Sequence, residues 1–231
     1  MTDLNDLKVK AVKIDNILLS VYGEPKRSGP GKLSPLDELV LTILSQNTTD
    51  KNSFKAFKNL KAKYPDWISI HKTPVTEIAE LIKIGGLGKI KAGYIMNCLE
   101  WIKKHNDDYD LSFICMMDTD EAMDFLTSID GVGVKTAAVT LAFSCGKDLY
   151  PVDTHVFRVS GRLGFLDGIS NPEKAFYFMK KIIPEGRGFG MHMNIIRHGR
   201  EVCHARKPNC INCSLKELCV YDKKNLNSDQ N

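Results

Sequence analysis

Apolar residues recur every three to four positions along most of the chain, which is the spacing of one face of an α-helix. The clearest helix begins at Ser34, where Pro35 and an acidic first turn precede an apolar face that includes Leu39 and Ile43. No convincing run alternates apolar and polar residues between hairpin turns, as a half-buried strand would. The pattern therefore predicts an all-α protein.

The same spacing predicts further helices, with boundaries indicated by capping residues, glycine and proline. These helices cover residues 4–21, 50–63, 75–83, 89–104, 119–129, 134–145, 154–163, 172–183 and 190–202. The segments 25–31 and 145–151 are candidate linkers. We therefore predict a six-helix barrel domain over 33–147, a second domain formed by 1–32 and 148–224, and a disordered polar tail over 225–231.

Composition narrows the class of protein less than the helical pattern does. Of the 231 residues, 43% are hydrophobic, which suffices for a buried core. Residues 1–13 contain no apolar run like that of a signal peptide or membrane span, so we predict a cytoplasmic protein, associated with the nucleoid and with no membrane partner. The net charge of +4 does not by itself indicate a nucleic-acid partner. Residues 187–207, however, contain an excess of Lys and Arg over acidic residues that equals the net charge of the whole chain.

Four of the seven cysteines are close together near the C-terminus, with the spacing Cys-x6-Cys-x2-Cys-x5-Cys. Zinc and iron–sulfur clusters both accept four thiolates. Zinc modules typically repeat a Cys-x2-Cys pair, and only Cys210 and Cys213 form one here. The spacing therefore favours an iron–sulfur cluster over zinc, held by Cys203, Cys210, Cys213 and Cys219.

The other three cysteines, Cys98, Cys115 and Cys145, are scattered through apolar sequence. A cytoplasmic location argues against a disulfide scaffold. We therefore predict that these three are core residues.

Two glycine-rich turns each join the end of one predicted helix to the start of the next: hairpin 1 (residues 84–88) and hairpin 2 (residues 129–133). Glycine allows the tight backbone of such a turn, and lets a phosphate approach the N–H groups of the following helix. Hairpin 1 alone is more simply a plain turn between helices. Hairpin 2 contains Gly131 and Gly133, is followed by Lys135, and eighteen residues later the chain reaches Asp153.

These motifs resemble the endonuclease III family, the helix-hairpin-helix DNA glycosylases. The similarity extends over nearly the whole chain from about Leu33, through residues 44–50, 86–87, 91–92, 131–138, 151–155, 198–200 and 205–208. The resemblance implies a bifunctional glycosylase and AP lyase of base excision repair. It would act as a monomer on double-stranded DNA that contains a damaged base or an abasic site. The cysteine spacing is that of the family's 4Fe-4S cluster.

Lys135 is the candidate nucleophile. It would lie in the first turn of a helix, where the dipole and apolar neighbours disfavour the ammonium form, so that its amine can attack the sugar carbon C1′ and form a Schiff base. The resemblance places the catalytic aspartate at Asp153, which also precedes a predicted helix and is expected to cap it. His155 next to it is more simply a packing or hydrogen-bonding residue.

A glycosylase must extrude its target nucleotide and fill the gap that remains. The resemblance assigns this to an amide side chain, either Gln46 or Asn47, and to an apolar wedge at Leu87 on the opposite strand. The alternative for Leu87 is a buried turn leucine. Arg206 and Lys207, held by the cluster, are expected to contact the DNA backbone.

Other functions stay open at this point. An oxidised pyrimidine is the predicted substrate, while a monofunctional or mismatch-specific glycosylase acting on thymine, uracil or oxidised guanine is the alternative within the superfamily. A zinc-stabilised helical DNA-binding module without enzymatic activity is the alternative of another class, against which Lys135 and Asp153 argue. We expect two helical lobes with DNA in the cleft between them, Lys135 on the first and Asp153 on the second.

Overall fold

The structure is a computed structural model that describes residues 3–26, 33–106 and 108–221. Within these residues the chain forms α-helices and short 3₁₀ turns and no strand, so the predicted all-α fold is confirmed. The predicted tail (225–231) and residues 27–31 of the first predicted linker lie outside the described residues. None of the described helices combines the length and the apolar character needed to cross a membrane.

Eleven α-helices are present in the described residues. In chain order they are α1 (Leu4–Tyr22), α2 (Pro35–Ser45), α3 (Asp50–Lys63), α4 (Trp67–His71), α5 (Val75–Ile82), α6 (Gly88–His105), α7 (Thr119–Thr127), α8 (Val134–Ser144), α9 (Thr154–Arg162), α10 (Pro172–Met179) and α11 (Gly188–Glu201). The sequence predicted all of them except α4, which has only five residues. The described residues form two compact units, 33–147 and 3–26 with 148–221. That these units are separate domains stays a prediction.

In the unit 33–147, α2 is the central helix and packs against α3, α6 and α8. The Ser34 side chain caps it by accepting a hydrogen bond from the Asp37 N–H at 3.1 Å. Leu39 and Ile43 on its predicted apolar face are completely buried. The small side chains of α8, such as Ala138, are equally buried, so the helix that carries the candidate nucleophile is packed tightly into the core.

In the unit of 3–26 and 148–221, α11 packs against α1 and α9. Arg187, just before α11, forms a two-pronged ion pair with Asp15 of α1 (2.6 and 3.2 Å) and a further one with Glu24 (2.7 Å). Arg197 pairs with Glu201 at 2.9 Å. Glu201 is already subtracted in the positive excess of residues 187–207, so it is the pairing of Arg187 with Asp15 and Glu24 that partly neutralises this excess.

The prediction for the scattered cysteines is right for one residue and wrong for two. Cys98 is completely buried, and burial raises the pKa of its thiol to about 12. Cys115 and Cys145 are half-buried and form a disulfide with a Cα–Cα separation of 4.8 Å. The bond ties the 3₁₀ turn Ser112–Cys115 to the residue that follows α8. Local sequence did not reveal it, because the two cysteines are 30 residues apart and meet only through tertiary packing.

We expect Cys115→Ser to lower the free energy of unfolding by about 3 to 4 kcal/mol, because the disulfide closes a loop of this length in the unfolded chain. Thermal unfolding with and without dithiothreitol measures the effect. Reduced wild-type protein should melt together with the variant, and the variant itself should not respond to reductant. A wild-type melting temperature that is insensitive to reductant and equal to that of Cys115→Ser contradicts a stabilising disulfide.

Candidate functional site

Hairpin 2 separates α7 from α8 in the unit 33–147 and leaves the start of α8 open. Gly131 has a left-handed backbone (φ 88°), and a Cβ atom there would overlap the ring of Tyr94, so only glycine fits. Gly133 is exposed and is the N-cap of α8, and no side chain caps this helix. The first N–H groups of α8 therefore receive no hydrogen bond from a capping side chain, as an anion-binding helix start requires.

Lys135 is half-buried in the first turn of α8, immediately behind hairpin 2. Glu38 on α2 is close enough to interact with it electrostatically. Burial raises the pKa of the Glu38 carboxyl, while the hydroxyl of Thr42, 3.5 Å away, and the charge of Lys135 oppose that rise. The sequence analysis treated Glu38 only as an acidic residue of the first turn. Its spacing of one turn from Thr42 was the available indication of a polar cluster.

Hairpin 1 presents an apolar side chain to solvent. Gly86 (φ 71°) and Leu87 (φ 52°) are both in the left-handed region, and the Leu87 side chain is 50% exposed. The alternative of a buried turn leucine is therefore wrong. A Cβ atom at Gly88 would lie 2.8 Å from the carbonyl oxygen of Ala79, so glycine is also required where α6 begins against α5.

The loop that follows α2, residues 46–49, contains both candidate amide wedges. Asn47 is exposed and has a left-handed backbone (φ 51°), whereas Gln46 is half-buried and its N–H bonds the carbonyl of Ile43 at 3.2 Å. Asparagine tolerates the left-handed region better than most residues. Asn47 thus has the more accessible side chain, and the assignment of the wedge stays a prediction.

Asp153 belongs to the other unit, 3–26 with 148–221. It is half-buried, and its Oδ1 accepts a hydrogen bond from the Val156 N–H at 2.7 Å. The predicted role as N-cap of a helix beginning at Thr154 is confirmed. The nearby His155 forms a hydrogen bond to Arg158 at 3.1 Å, which agrees with a hydrogen-bonding role.

The cysteine loop (residues 203–219) follows α11, and none of its four cysteines forms a disulfide. Burial raises the pKa of the Cys213 thiol, and the other three thiols are near enough to raise it further. His198 of α11 lies with its Nε2 3.5 Å from the Cys213 sulfur. Among the described residues, no group of three or more His, Cys, Asp or Glu side chains is arranged to hold a metal ion.

Two arginines of α9, which the sequence analysis did not single out, hold the cysteine loop. Arg158 donates to the carbonyl oxygens of Gly199 (2.9 Å) and Cys203 (3.1 Å). Arg162, one turn later, donates to the carbonyl oxygens of His204 (2.6 Å) and Ala205 (3.0 Å) and, at 3.3 Å, to the Cys203 sulfur. Their spacing of four residues on one helix face was the available indication.

Arg206 and Lys207 come directly after His204 and Ala205, whose carbonyl oxygens accept hydrogen bonds from Arg162. Both side chains are exposed, and Lys207 has a left-handed backbone (φ 52°). The loop therefore displays two positive charges on a backbone that is fixed from α9.

Known proteins are similar to this chain in sequence and in fold. The family model described as "HhH-GPD superfamily base excision DNA repair protein" matches residues 40–185. Endonuclease III of Sulfolobus acidocaldarius is 37% identical over 194 residues, which is 81% of this chain and 82% of the relative. Endonuclease III of Haemophilus influenzae is 34% identical over 192 residues, which is 83% of this chain and 86% of the relative.

A solved structure described as "Structure of a non-covalent Endonuclease III-DNA Complex" has a TM-score of 0.81 and 27% identity to this chain. The match covers 98% of this chain and all of the other. By the family model and by the extent of these similarities, the chain belongs to the HhH-GPD superfamily of base excision DNA repair proteins, as a member of the endonuclease III family.

Proposed function

We propose that this protein is a bifunctional DNA glycosylase and AP lyase that removes a damaged base, by preference an oxidised pyrimidine, from double-stranded DNA. The observation that carries the proposal is Lys135, half-buried in the first turn of α8 and directly behind the glycines of hairpin 2. The similar proteins named endonuclease III support it. The protein would act as a monomer in the cytoplasm, on the nucleoid.

The reaction begins with the neutral amine of Lys135, whose nitrogen lone pair forms a bond to C1′ of the target nucleotide. The bond between C1′ and the base breaks, and the base leaves with the electron pair and takes up a proton. The sugar ring then opens to a Schiff base on Nζ. Loss of a proton from C2′ expels the 3′ phosphate by β-elimination. Asp153 is the carboxylate that we assign to accepting the proton of the lysine and to stabilising positive charge on the sugar.

The two hairpins and the loop after α2 each contribute a different contact to DNA. The N–H groups of the first turn of α8, after Gly133, bind a DNA phosphate. Leu87 inserts beside the orphaned base of the opposite strand, and the amide of Asn47 or Gln46 fills the gap that the extruded nucleotide leaves. These assignments rest on the family resemblance and on the exposure of Leu87 and Asn47.

We assign a 4Fe-4S cluster to the cysteine loop, held by Cys203, Cys210, Cys213 and Cys219, on the chemistry of these donors and on the family's cysteine spacing. Its donor set is four thiols that form no disulfide, and Arg162 donates to the Cys203 sulfur as hydrogen-bond donors around cluster thiolates do. When bound, the cluster supplies cross-links that fix the loop. The loop then presents Arg206 and Lys207 to the DNA backbone without an ordering cost on binding.

Incubation of the protein with a duplex that contains one abasic site tests the proposed activity. We expect cleavage 3′ to the site by β-elimination, and a covalent protein–DNA adduct when borohydride reduces the Schiff base. Wild-type protein that gives neither product contradicts the lyase. A panel of duplexes with one lesion each tests the base preference: fastest release of an oxidised pyrimidine supports it, and faster release of mismatched thymine, uracil or oxidised guanine contradicts it.

We expect Asp153→Asn to slow base release roughly a hundredfold or more while unfolding changes by less than about 0.5 kcal/mol. Asparagine can still accept the hydrogen bond from the Val156 N–H, so the substitution removes the negative charge and keeps the helix cap. Single-turnover excision and thermal melting measure the two effects. Asp66→Asn, the same change at the N-cap of α4, is the matched control and should leave excision unchanged. Excision by Asp153→Asn at the wild-type rate contradicts a catalytic carboxylate.

A further inference from the structure

Lys91 is a lysine in the interior of the unit 33–147. It lies in the first turn of α6 with only 1% of its surface exposed. Its Nζ donates to the carbonyl oxygen of Leu44 and to that of Gly85, each at 2.8 Å. Burial lowers the pKa of this amine, so the site is unfavourable for a charge unless the carbonyl groups compensate. An interior lysine of this kind is uncommon and needs an explanation.

The two carbonyl groups belong to separate segments of the chain. The Leu44 oxygen is among the last carbonyls of α2, which have no partner within the helix and lie at its negative end. The Gly85 oxygen ends the 3₁₀ turn Lys83–Gly85 of hairpin 1. A Cβ atom at Gly85 would lie 3.7 Å from the Leu44 oxygen and 3.9 Å from Nζ, so the end of α2, hairpin 1 and Lys91 meet at one point.

Each held carbonyl is followed within three residues by a residue that has a left-handed backbone and an exposed side chain. Asn47, three residues after Leu44, and Leu87, two residues after Gly85, both have a left-handed backbone. Such conformations persist in residues other than glycine only where the surrounding structure fixes them. The hydrogen bonds of Lys91 are therefore placed to fix both segments together.

We propose that Lys91 is a positioning residue for nucleotide extrusion. It fixes the distance between the loop after α2, which carries Asn47, and hairpin 1, which carries Leu87, so that both side chains contact the duplex together. The inference rests on the proposed function, because it needs both side chains to contact DNA. Lys91 does not touch the substrate. It acts through the backbone of the residues that precede Asn47 and Leu87.

A comparison of two abasic substrates tests the proposal, because a single strand needs no extrusion from a duplex. For Lys91→Met, β-elimination at an abasic site in duplex DNA should slow roughly tenfold or more, while cleavage in single-stranded DNA stays within about twofold of wild type. Lys91→Gln, which retains donors for one carbonyl, should fall between Lys91→Met and wild type on the duplex. Lys103→Met, an exposed lysine of the same helix, is the control and should match wild type on both substrates.

A double-mutant cycle with Leu87→Ala separates this role from general stabilisation. If Lys91 acts through hairpin 1, Lys91→Met should slow duplex cleavage less in the Leu87→Ala background than in wild type. Unchanged duplex cleavage in Lys91→Met overturns the proposal. An equal loss on both substrates, from misfolding or otherwise, also overturns it. Wild-type protein that cleaves neither substrate contradicts the proposed function itself, so the two failures are distinguishable.

Discussion

We expect Lys135→Ala to lower the rate of β-elimination at an abasic site by roughly a thousandfold or more, and to abolish the adduct that borohydride traps. The substitution removes the amine that forms the Schiff base. It leaves hairpin 2 and the buried face of α8 unchanged, because Lys135 is only half-buried while its neighbours Ala137 and Ala138 fill the core. Quenched-flow cleavage of a duplex with a single abasic site gives the rate.

The matched control for this substitution is Lys103→Ala, which removes an exposed lysine from α6 in the same unit. It should retain wild-type cleavage and trapping. Equal melting temperatures of the two variants show that a difference in activity is not a difference in folding. An adduct that persists in Lys135→Ala means that another amine is the nucleophile.

We expect protein purified without chelators to be brown and to contain about four irons per chain, with a broad visible absorption that Cys213→Ala abolishes. The other three thiols of the cysteine loop are near enough to Cys213 to raise the pKa of its thiol. Loss of this ligand should release the metal and, with it, the order of the loop that displays Arg206 and Lys207. Metal analysis, visible absorption and the affinity for duplex DNA at fixed salt measure these effects.

Cys98→Ala is the control for Cys213→Ala. Cys98 is completely buried in the other unit, so this change should cost some stability through the small cavity and leave the visible absorption intact. A colourless, active enzyme with one zinc per chain contradicts the iron–sulfur assignment. It does not by itself contradict the lyase, because the proposed mechanism assigns the chemistry to Lys135 and not to the cluster.

Local sequence predicted the helices well where capping and periodicity coincide. The first turn after Ser34 and the N-cap at Asp153 are examples, because each depends on a hydrogen bond between residues three positions apart. It missed α4, because a helix of five residues contains too few positions for a periodic signal. It indicated Lys135 as the candidate nucleophile, which stays a prediction, but not its proximity to Glu38, which depends on the packing of α2 against α8.

Features that depend on tertiary proximity could not be predicted from one sequence. The Cys115–Cys145 disulfide, the hydrogen bonds of Arg162 to the cysteine loop, and the hydrogen bond of Lys91 to Leu44 each join positions separated by 30 or more residues. The exposure of Leu87 was an open alternative for the same reason, since the sequence does not show which turn residues reach solvent. In each case the sequence contains a residue type that can form the interaction, but the fold determines which residue it contacts.

Identification of the cross-linked residue shows whether Lys135 forms the Schiff base. Wild-type protein is incubated with a duplex that contains one abasic site, reduced with borohydride and digested, and the DNA-bound peptide is sequenced by mass spectrometry. We expect a single modified lysine, Lys135. Modification of another lysine or of the N-terminal amine, or no modified peptide at all, would contradict it.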